Sequence, residues 1–252
     1  MASLPRAHKE RLDRVLAIQG LAPSREAAVR TVLAGGVAVD GIVVDKPAKL
    51  VRLDARIEIV RPALFVSRSG DKLAAALDAF HIDPRGTISM DVGCSSGGFT
   101  DCLLRRGAAR IYAIDVGYGQ FEWGLRNDSR VVLLERTNIR YVDRSVVPEP
   151  IDLAVIDVSF ISLTLVLPPI VQLLNDSAVV VALVKPQFEV GKGEVGRGGV
   201  VRDDKQREAV TEKVITCAAH LGFQLKGVLD SPVKGRKGNR EILVGFTREV
   251  TA

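Results

Sequence analysis

The sequence predicts an α/β protein in two parts: a Rossmann-like, mostly parallel sheet flanked by helices, preceded by a small α+β unit. Two observations carry this prediction. From residue 88 onward, apolar runs of strand length alternate with amphipathic helical stretches. Before residue 60, two helical patterns lead into closely spaced short strands. At 252 residues the chain is long enough for both parts, because one core commonly spans roughly 100 to 200 residues.

Residues 11 to 60 read helix, turn, helix, then strands. Leu12, Val15 and Leu16, and later Ala27, Ala28, Val29 and Val32, recur at helical spacing. Pro23 cannot continue a preceding helix, and the Ser24 hydroxyl can accept from the free amides of the next one. Gly35 and Gly36 end that second helix. Val37–Val39, Asp40-Gly41 and Ile42–Val44 then form a hairpin, since Asp-Gly tolerates the positive φ of a tight turn. Arg56 to Val60 reads as one more strand. Further strands are expected at 88–92, 111–116, 131–134, 153–157, 178–184 and 242–246. The expected division is a first domain at 1–60, a linker at 61–64 and a second domain at 65–252.

Composition narrows the class. With 47% hydrophobic and 26% charged residues the chain can bury a core, which argues against disorder and fibrous repeats. The first fourteen residues carry Arg6, Lys9, Glu10, Arg11 and Asp13 without the apolar centre of a secretion signal. No run approaches the roughly 18 apolar residues of a membrane span. Cys94, Cys102 and Cys217 show no pairing or metal-ligand spacing, so neither a disulfide framework nor a metal site is expected, and a reducing cytoplasm fits. A net charge of +5 suits a polyanionic partner.

After the strand at 88–92 comes Asp91-Val92-Gly93-Cys94-Ser95-Ser96-Gly97-Gly98-Phe99-Thr100, a glycine-rich turn that lets a ligand approach the backbone. Its G-x-x-x-G-G spacing differs from the loop that cradles a pyrophosphate, and Asp91 suits a cation. The sulfonium and amino group of S-adenosylmethionine supply such a charge. Asp115, ending the next strand, is placed to accept from both ribose hydroxyls. Ser95, Gly97, Gly98 and Phe99 complete the expected pocket, and Asn138, after the strand at 131–134, is placed near the adenine. Phe121 and Trp123 are expected to lie partly buried on the sheet.

Four charged residues stand at the edges of apolar runs: Lys72, Asp157, Lys185 and Glu241. Any one of them alone reads as a solvated or paired surface charge; together, beside the glycine turn, they read as a site. Arg68-x-x-x-Lys72-Leu73, Asp91-Val92-Gly93 through Phe99-Thr100, Asp157-Val158-Ser159-Phe160, Lys185-Pro186-Gln187-Phe188-Glu189 and Gly238-Asn239-Arg240-Glu241 together resemble the hemolysin-like TlyA family. The resemblance covers nearly the whole chain; Ser69 departs from the expected small glycine or alanine and leaves Lys72 in register. It implies a Rossmann-like, S-adenosylmethionine-dependent methyltransferase domain of the FtsJ type behind an S4-like RNA-binding domain. It further implies 2′-O-methylation of cytidine in ribosomal RNA, with a catalytic tetrad of Lys72, Asp157, Lys185 and Glu241.

Chemistry agrees with that tetrad. A ribose hydroxyl is a poor nucleophile, so a positioned base must take its proton as the oxygen attacks in line with the leaving sulfur. Lys185 is the expected base. Asp157, also bordering the donor pocket, would orient its amine, and Lys72 and Glu241 would hold the ribose and each other. For RNA, Arg11, Arg14, Arg25 and Arg30 of the S4-like part are expected near one helical face, where guanidinium groups fork onto phosphates. Two loops add Lys192 and Arg197, and Lys234, Arg236, Lys237 and Arg240. A non-catalytic assembly factor, a small-molecule or protein methyltransferase and a membrane-active hemolysin are the competing classes. The intact tetrad, the S4-like part and the lack of a cationic amphipathic helix weigh against them in turn.

Overall fold

The computed structural model describes residues 9–60, 64–191, 195–196, 198–235 and 238–248. Its internal contacts separate residues 1–70 from 71–252. Of the expected linker, residues 61–63 lie outside the described ones.

In the first unit β1 (Lys9–Arg11) runs into α1 (Leu12–Ile18), followed by α2 (Arg25–Leu33), β2 (Val37–Val39), β3 (Ile42–Val43), β4 (Leu50–Arg52) and β5 (Ile57–Ile59). β2 is the centre of a three-stranded antiparallel sheet, with Ala38 opposite Val43 on one side and Glu58 on the other. The turn between β2 and β3 has positive φ at both Asp40 (51°) and Gly41 (78°), as the Asp-Gly pair dictates. Ser24 caps α2 by accepting from the Ala27 amide at 3.1 Å. Leu12, Val15 and Leu16 of α1 close on Ala28, Val32 and Val37, all fully buried. Full burial of each large aliphatic side chain contributes about 1.5–3 kcal/mol.

Two strands here depart from expectation: β4 was not predicted, and β1 takes in Arg11. Arg11, expected on the first helix, is the last residue of β1 and the extended cap before α1; β1 pairs antiparallel with β4. Lys-Glu-Arg has no apolar alternation, so a three-residue edge strand left no pattern to read.

The second unit takes in all but the first two residues of α3 (Ser69–Ala79) and continues through β6 (Ile88–Val92), α4 (Gly98–Arg105), β7 (Arg110–Ile114), α5 (Trp123–Arg126), β8 (Val131–Leu134), β9 (Ile151–Ile156), α6 (Leu167–Ile170), β10 (Leu174–Val184), α7 (Pro186–Glu189), α8 (Asp204–His220), β11 (Phe223–Asp230) and β12 (Ile242–Arg248). These strands form one seven-stranded sheet in the order β11-β12-β10-β9-β6-β7-β8. Five of them, β6 to β10, are parallel, and β12 runs antiparallel to both β10 and β11. Met90, Ile114, Ala154, Val180 and Val244 fill the core between sheet and helices. β11 was not expected: it is an edge strand whose residues after Phe223 are mostly exposed, so it carries no continuous apolar run.

The chain order turns outward in both directions from β6, toward β7 and β8 on one side and β9 and β10 on the other. In such sheets the crevice beyond the carboxyl ends at this reversal is where ligands bind. Because β12 is antiparallel, its amino end lies at that same edge.

Candidate active site

Strand register brings the separated charged residues together. Val92 pairs with Ile156, Ile156 with Ala182, and Val184 with Ile242, so Gly93, Asp157, Lys185 and Glu241 leave four adjacent strands at one edge. Lys185 meets Asp157 Oδ1 at 2.6 Å and donates to Ser159 Oγ at 3.0 Å. Lys72, in the first turn of α3, donates to Glu241 Oε2 at 2.5 Å, and both are buried. The four expected catalytic residues are therefore two ion pairs. A Cβ on Gly235 would stand 2.1 Å from Glu241 Oε1, so a side chain at this position would displace the carboxylate.

The Lys-Pro-Gln-Phe-Glu string locks onto the loop after β9. Glu189, at the end of Lys-Pro-Gln-Phe-Glu, accepts from the Leu163 amide at 2.7 Å and the Ser162 hydroxyl at 2.5 Å. Phe188 and Phe160 have ring centroids 5.0 Å apart. Burial pushes the Glu189 carboxyl above its ordinary range. Its work is to fix the loop after β9 against α7, a supporting role that sequence reading did not assign. Phe160 is 91% exposed and holds φ at +65°, a strained value for a bulky residue.

The glycine turn follows β6 as expected. Gly93 (φ +87°) approaches so closely that a Cβ would lie 2.5 Å from the Asp157 carbonyl oxygen. Gly97, with φ +92°, caps α4, whose first residues Gly98 and Phe99 are buried. Asp115 Oδ2 accepts from the Ser95 amide at 2.8 Å and Oδ1 from the Gly117 amide at 2.7 Å, fixing this carboxylate beside the turn. It retains lone pairs for further donors. Asp91 is fully buried; Thr100 donates to its Oδ2 at 2.6 Å, while Oδ1 has no partner among the described residues. Burial pushes this carboxyl up to about 7. Asn138 accepts from the Arg140 amide at 3.1 Å and caps a short 3₁₀ turn. Phe121 is buried, but Trp123 is 69% exposed, a correction to its expected packing. Single-turn α5 directs Leu125 inward and leaves the indole outside.

A family model described as S4 domain matches residues 10–57, and one described as FtsJ-like methyltransferase matches residues 65–248. Over 93% of its length the chain is 47% identical to the 16S/23S rRNA (cytidine-2′-O)-methyltransferase TlyA of Mycobacterium tuberculosis, covering 88% of that protein. The chain belongs to the TlyA family. It is also 41% identical to hemolysin A of Brachyspira hyodysenteriae, over 94% of this chain and 99% of that one. A solved hemolysin-type structure from Streptococcus thermophilus superposes with a TM-score of 0.76 at 40% identity, covering 97% of this chain and 90% of that one. The chain joins an S4 domain to a methyltransferase of the FtsJ-like type.

In this TlyA-family chain the expected RNA contacts of the S4 domain are partly engaged. Arg11 (2.9 Å) and Arg25 (3.1 Å) converge on the buried Asp13, and Arg14 pairs with Glu10 at 3.2 Å. The Arg11 guanidinium holds the Asp13 carboxyl below the usual range. Arg30 lies in the last turn of α2. In the second domain Lys234 is exposed, and Arg240 pairs with Asp230 at 3.1 Å. Lys192, Arg197, Arg236 and Lys237 lie outside the described residues. Among the described residues no helix is long and apolar enough to cross a membrane, no acidic, histidine or cysteine cluster could hold a metal, and the three cysteines are free.

Proposed function

We propose that this chain transfers a methyl group from S-adenosylmethionine to the 2′-hydroxyl of a cytidine in ribosomal RNA. The observation that carries the reading is the meeting of Lys185–Asp157 and Lys72–Glu241 at the strand edge next to the glycine turn. The named activity of the M. tuberculosis relative supports the substrate class.

The residues around the turn fit the donor. The orphaned, buried Asp91 oxygen suits a nearby cationic group, and the amide-held Asp115 suits vicinal ribose hydroxyls. Gly93, Ser95, Gly97, Gly98 and Phe99 would shape the wall, with Asn138 toward the adenine. When bound, S-adenosylmethionine supplies an electrophilic methyl carbon on a sulfonium. Asp157 and Ser159 hold Lys185 in place; once its ammonium has passed a proton to solvent, the neutral amine takes the proton of the ribose hydroxyl as that oxygen attacks. Lys72 and Glu241 position the ribose; their mutual pairing keeps each charge compensated in a buried setting. Arg11, Arg14, Arg25 and Arg30 of the S4 domain, with Lys192, Arg197, Lys234, Arg236, Lys237 and Arg240, neutralise RNA phosphates. The reaction is placed in the cytoplasm, where ribosomal RNA is the polyanion at hand.

The test is tritium transfer from labelled S-adenosylmethionine to purified ribosomal subunits and naked ribosomal RNA, comparing wild type with Lys185→Ala. Label in RNA 2′-O-methylcytidine that disappears in the variant is expected. Donor binding without transfer to any ribosomal substrate would sink the reading.

A further inference from the structure

At the amino end of α8, Arg202, Arg207, Lys234 and Arg240, with Asp204, line a cavity of about 320 Å³. Four cations and one carboxylate line it, and Arg240 pairs with that Asp204 at 3.7 Å and with Asp230 at 3.1 Å, which leaves a net positive charge. Arg202, Lys234 and Arg240 are exposed at the rim, whereas Arg207 is only 9% exposed. Its Nη2 pairs with Asp204 at 3.1 Å. Its Nε and Nη1 are buried and have no hydrogen-bond partner among the described residues. A guanidinium offers five N–H donors in a fixed fork, and a buried donor left unpaired is strongly disfavoured. Fork geometry, net positive charge and unmet donors together call for an oxyanion, and the planar fork matches phosphate.

The cavity is joined to the candidate active site. Asn239, 2% exposed, donates from Nδ2 to the Gly199 carbonyl at 2.9 Å and accepts the Val201 amide on Oδ1 at 3.0 Å. Its backbone carbonyl accepts the Gly235 amide at 2.9 Å. Asn239 thus knits both cavity walls into one hydrogen-bonded piece. Two residues on, roughly 7 Å at most along the chain, stands Glu241 with its Lys72 partner.

We propose that this cavity seats a phosphodiester of the substrate RNA, next to the reacting ribose, with buried Arg207 as the fork that holds it. The proposal rests on the RNA-methyltransferase reading above and adds to it a phosphate-binding residue that neither sequence motif nor tetrad includes. Asn239 is a positioning residue that fixes the cavity relative to Glu241.

The test uses the full chain and naked ribosomal RNA, with Arg207→Met, Arg207→Lys and the rim variant Lys234→Met, each checked for an unchanged melting temperature. RNA affinity is measured across 50 to 200 mM salt, and KM and kcat are measured separately. Arg207→Met is expected to weaken RNA binding about tenfold and to flatten the slope of log affinity against log salt by about 1. KM should rise more than kcat falls, with partial rescue in Arg207→Lys. If Arg207→Met does not fold, the smaller, same-direction change in Lys234→Met and Arg207→Lys carries the test. Unchanged affinity and salt slope in every folded variant would overturn the proposal. So would stabilisation by inorganic phosphate that is lost in Arg207→Lys while RNA binding stays intact, because the cavity would then serve a free phosphate. A wild type that methylates no RNA but still loses RNA affinity through Arg207 would remove the proposed function and leave this cavity standing. A wild type that methylates RNA with no Arg207 effect would do the reverse.

Discussion

The ammonium of Lys72 and the carboxylate of Glu241 meet at 2.5 Å across 169 positions of sequence, both withdrawn from solvent. Breaking a buried pair from one side strands a charge, at a cost of about 3–5 kcal/mol. Glu241→Ala and Lys72→Ala should each show that loss in denaturant unfolding of the methyltransferase domain. The double variant Lys72→Met, Glu241→Leu should regain most of the stability without regaining methyl transfer. Additive losses in the double variant would show that the pair is not coupled.

Lys185 faces Asp157 and Ser159, so its amine is oriented by an ion pair and a hydrogen bond to the same loop. Lys185→Arg preserves charge and gives up a transferable proton site. Methyl transfer should fall by about 10²–10⁴-fold, the range for a lost general base, while calorimetric affinity for S-adenosylmethionine is retained. Full activity in Lys185→Arg would assign this residue to electrostatics alone.

Asp91 gives stability a pH dependence. Its ordinary carboxyl value is 3.8, and burial raises it to about 7 in the folded chain. Between about pH 4 and 7 the unfolded chain has released this proton while the folded chain keeps it, so stability falls as pH rises through that window and levels off above it. Unfolding midpoints measured from pH 4.5 to 8 should decline in wild type and flatten in Asp91→Asn. Parallel profiles would show that Asp91 is ionised in the fold at all of these pH values.

Phe160 combines 91% exposure with a φ of +65°, a conformation costing on the order of 1–3 kcal/mol for a bulky residue. Strain of this kind is retained where function uses it. Phe160→Gly should unfold at the same or higher denaturant concentration and yet methylate RNA about tenfold less efficiently, in line with a stacking contribution of about 1–3 kcal/mol per base. A variant that is destabilised and fully active would reverse the assignment.

Much of the fold was legible because buried parallel strands read as continuous apolar runs, as in Ile88–Val92 and Ala178–Val184, and because Ser24 and Asp40-Gly41 carry local instructions. β1 and β11 were not legible, since edge strands without a buried face leave no periodic trace. The tetrad's members were visible as charges interrupting apolar runs, but their sorting into two pairs depends on the Val184–Ile242 register, which no local pattern encodes. Glu189 was hidden for a different reason: it sits inside a string whose neighbouring lysine draws the chemical reading, although its own carboxylate serves backbone and hydroxyl groups. Arg207 lay in an ordinary-looking charged helix, where only burial reveals that its donors are unmet.

The reversed direction of β12 has a temporal consequence. Glu241 enters the strand edge from its amino end and is seated only when β12 pairs with β10. A nascent chain that has emerged through the glycine turn, Asp157 and Lys185 still lacks the partner of Lys72. Synthesis must reach β12 before the second ion pair exists, so under the proposed mechanism a partly made molecule does not methylate RNA.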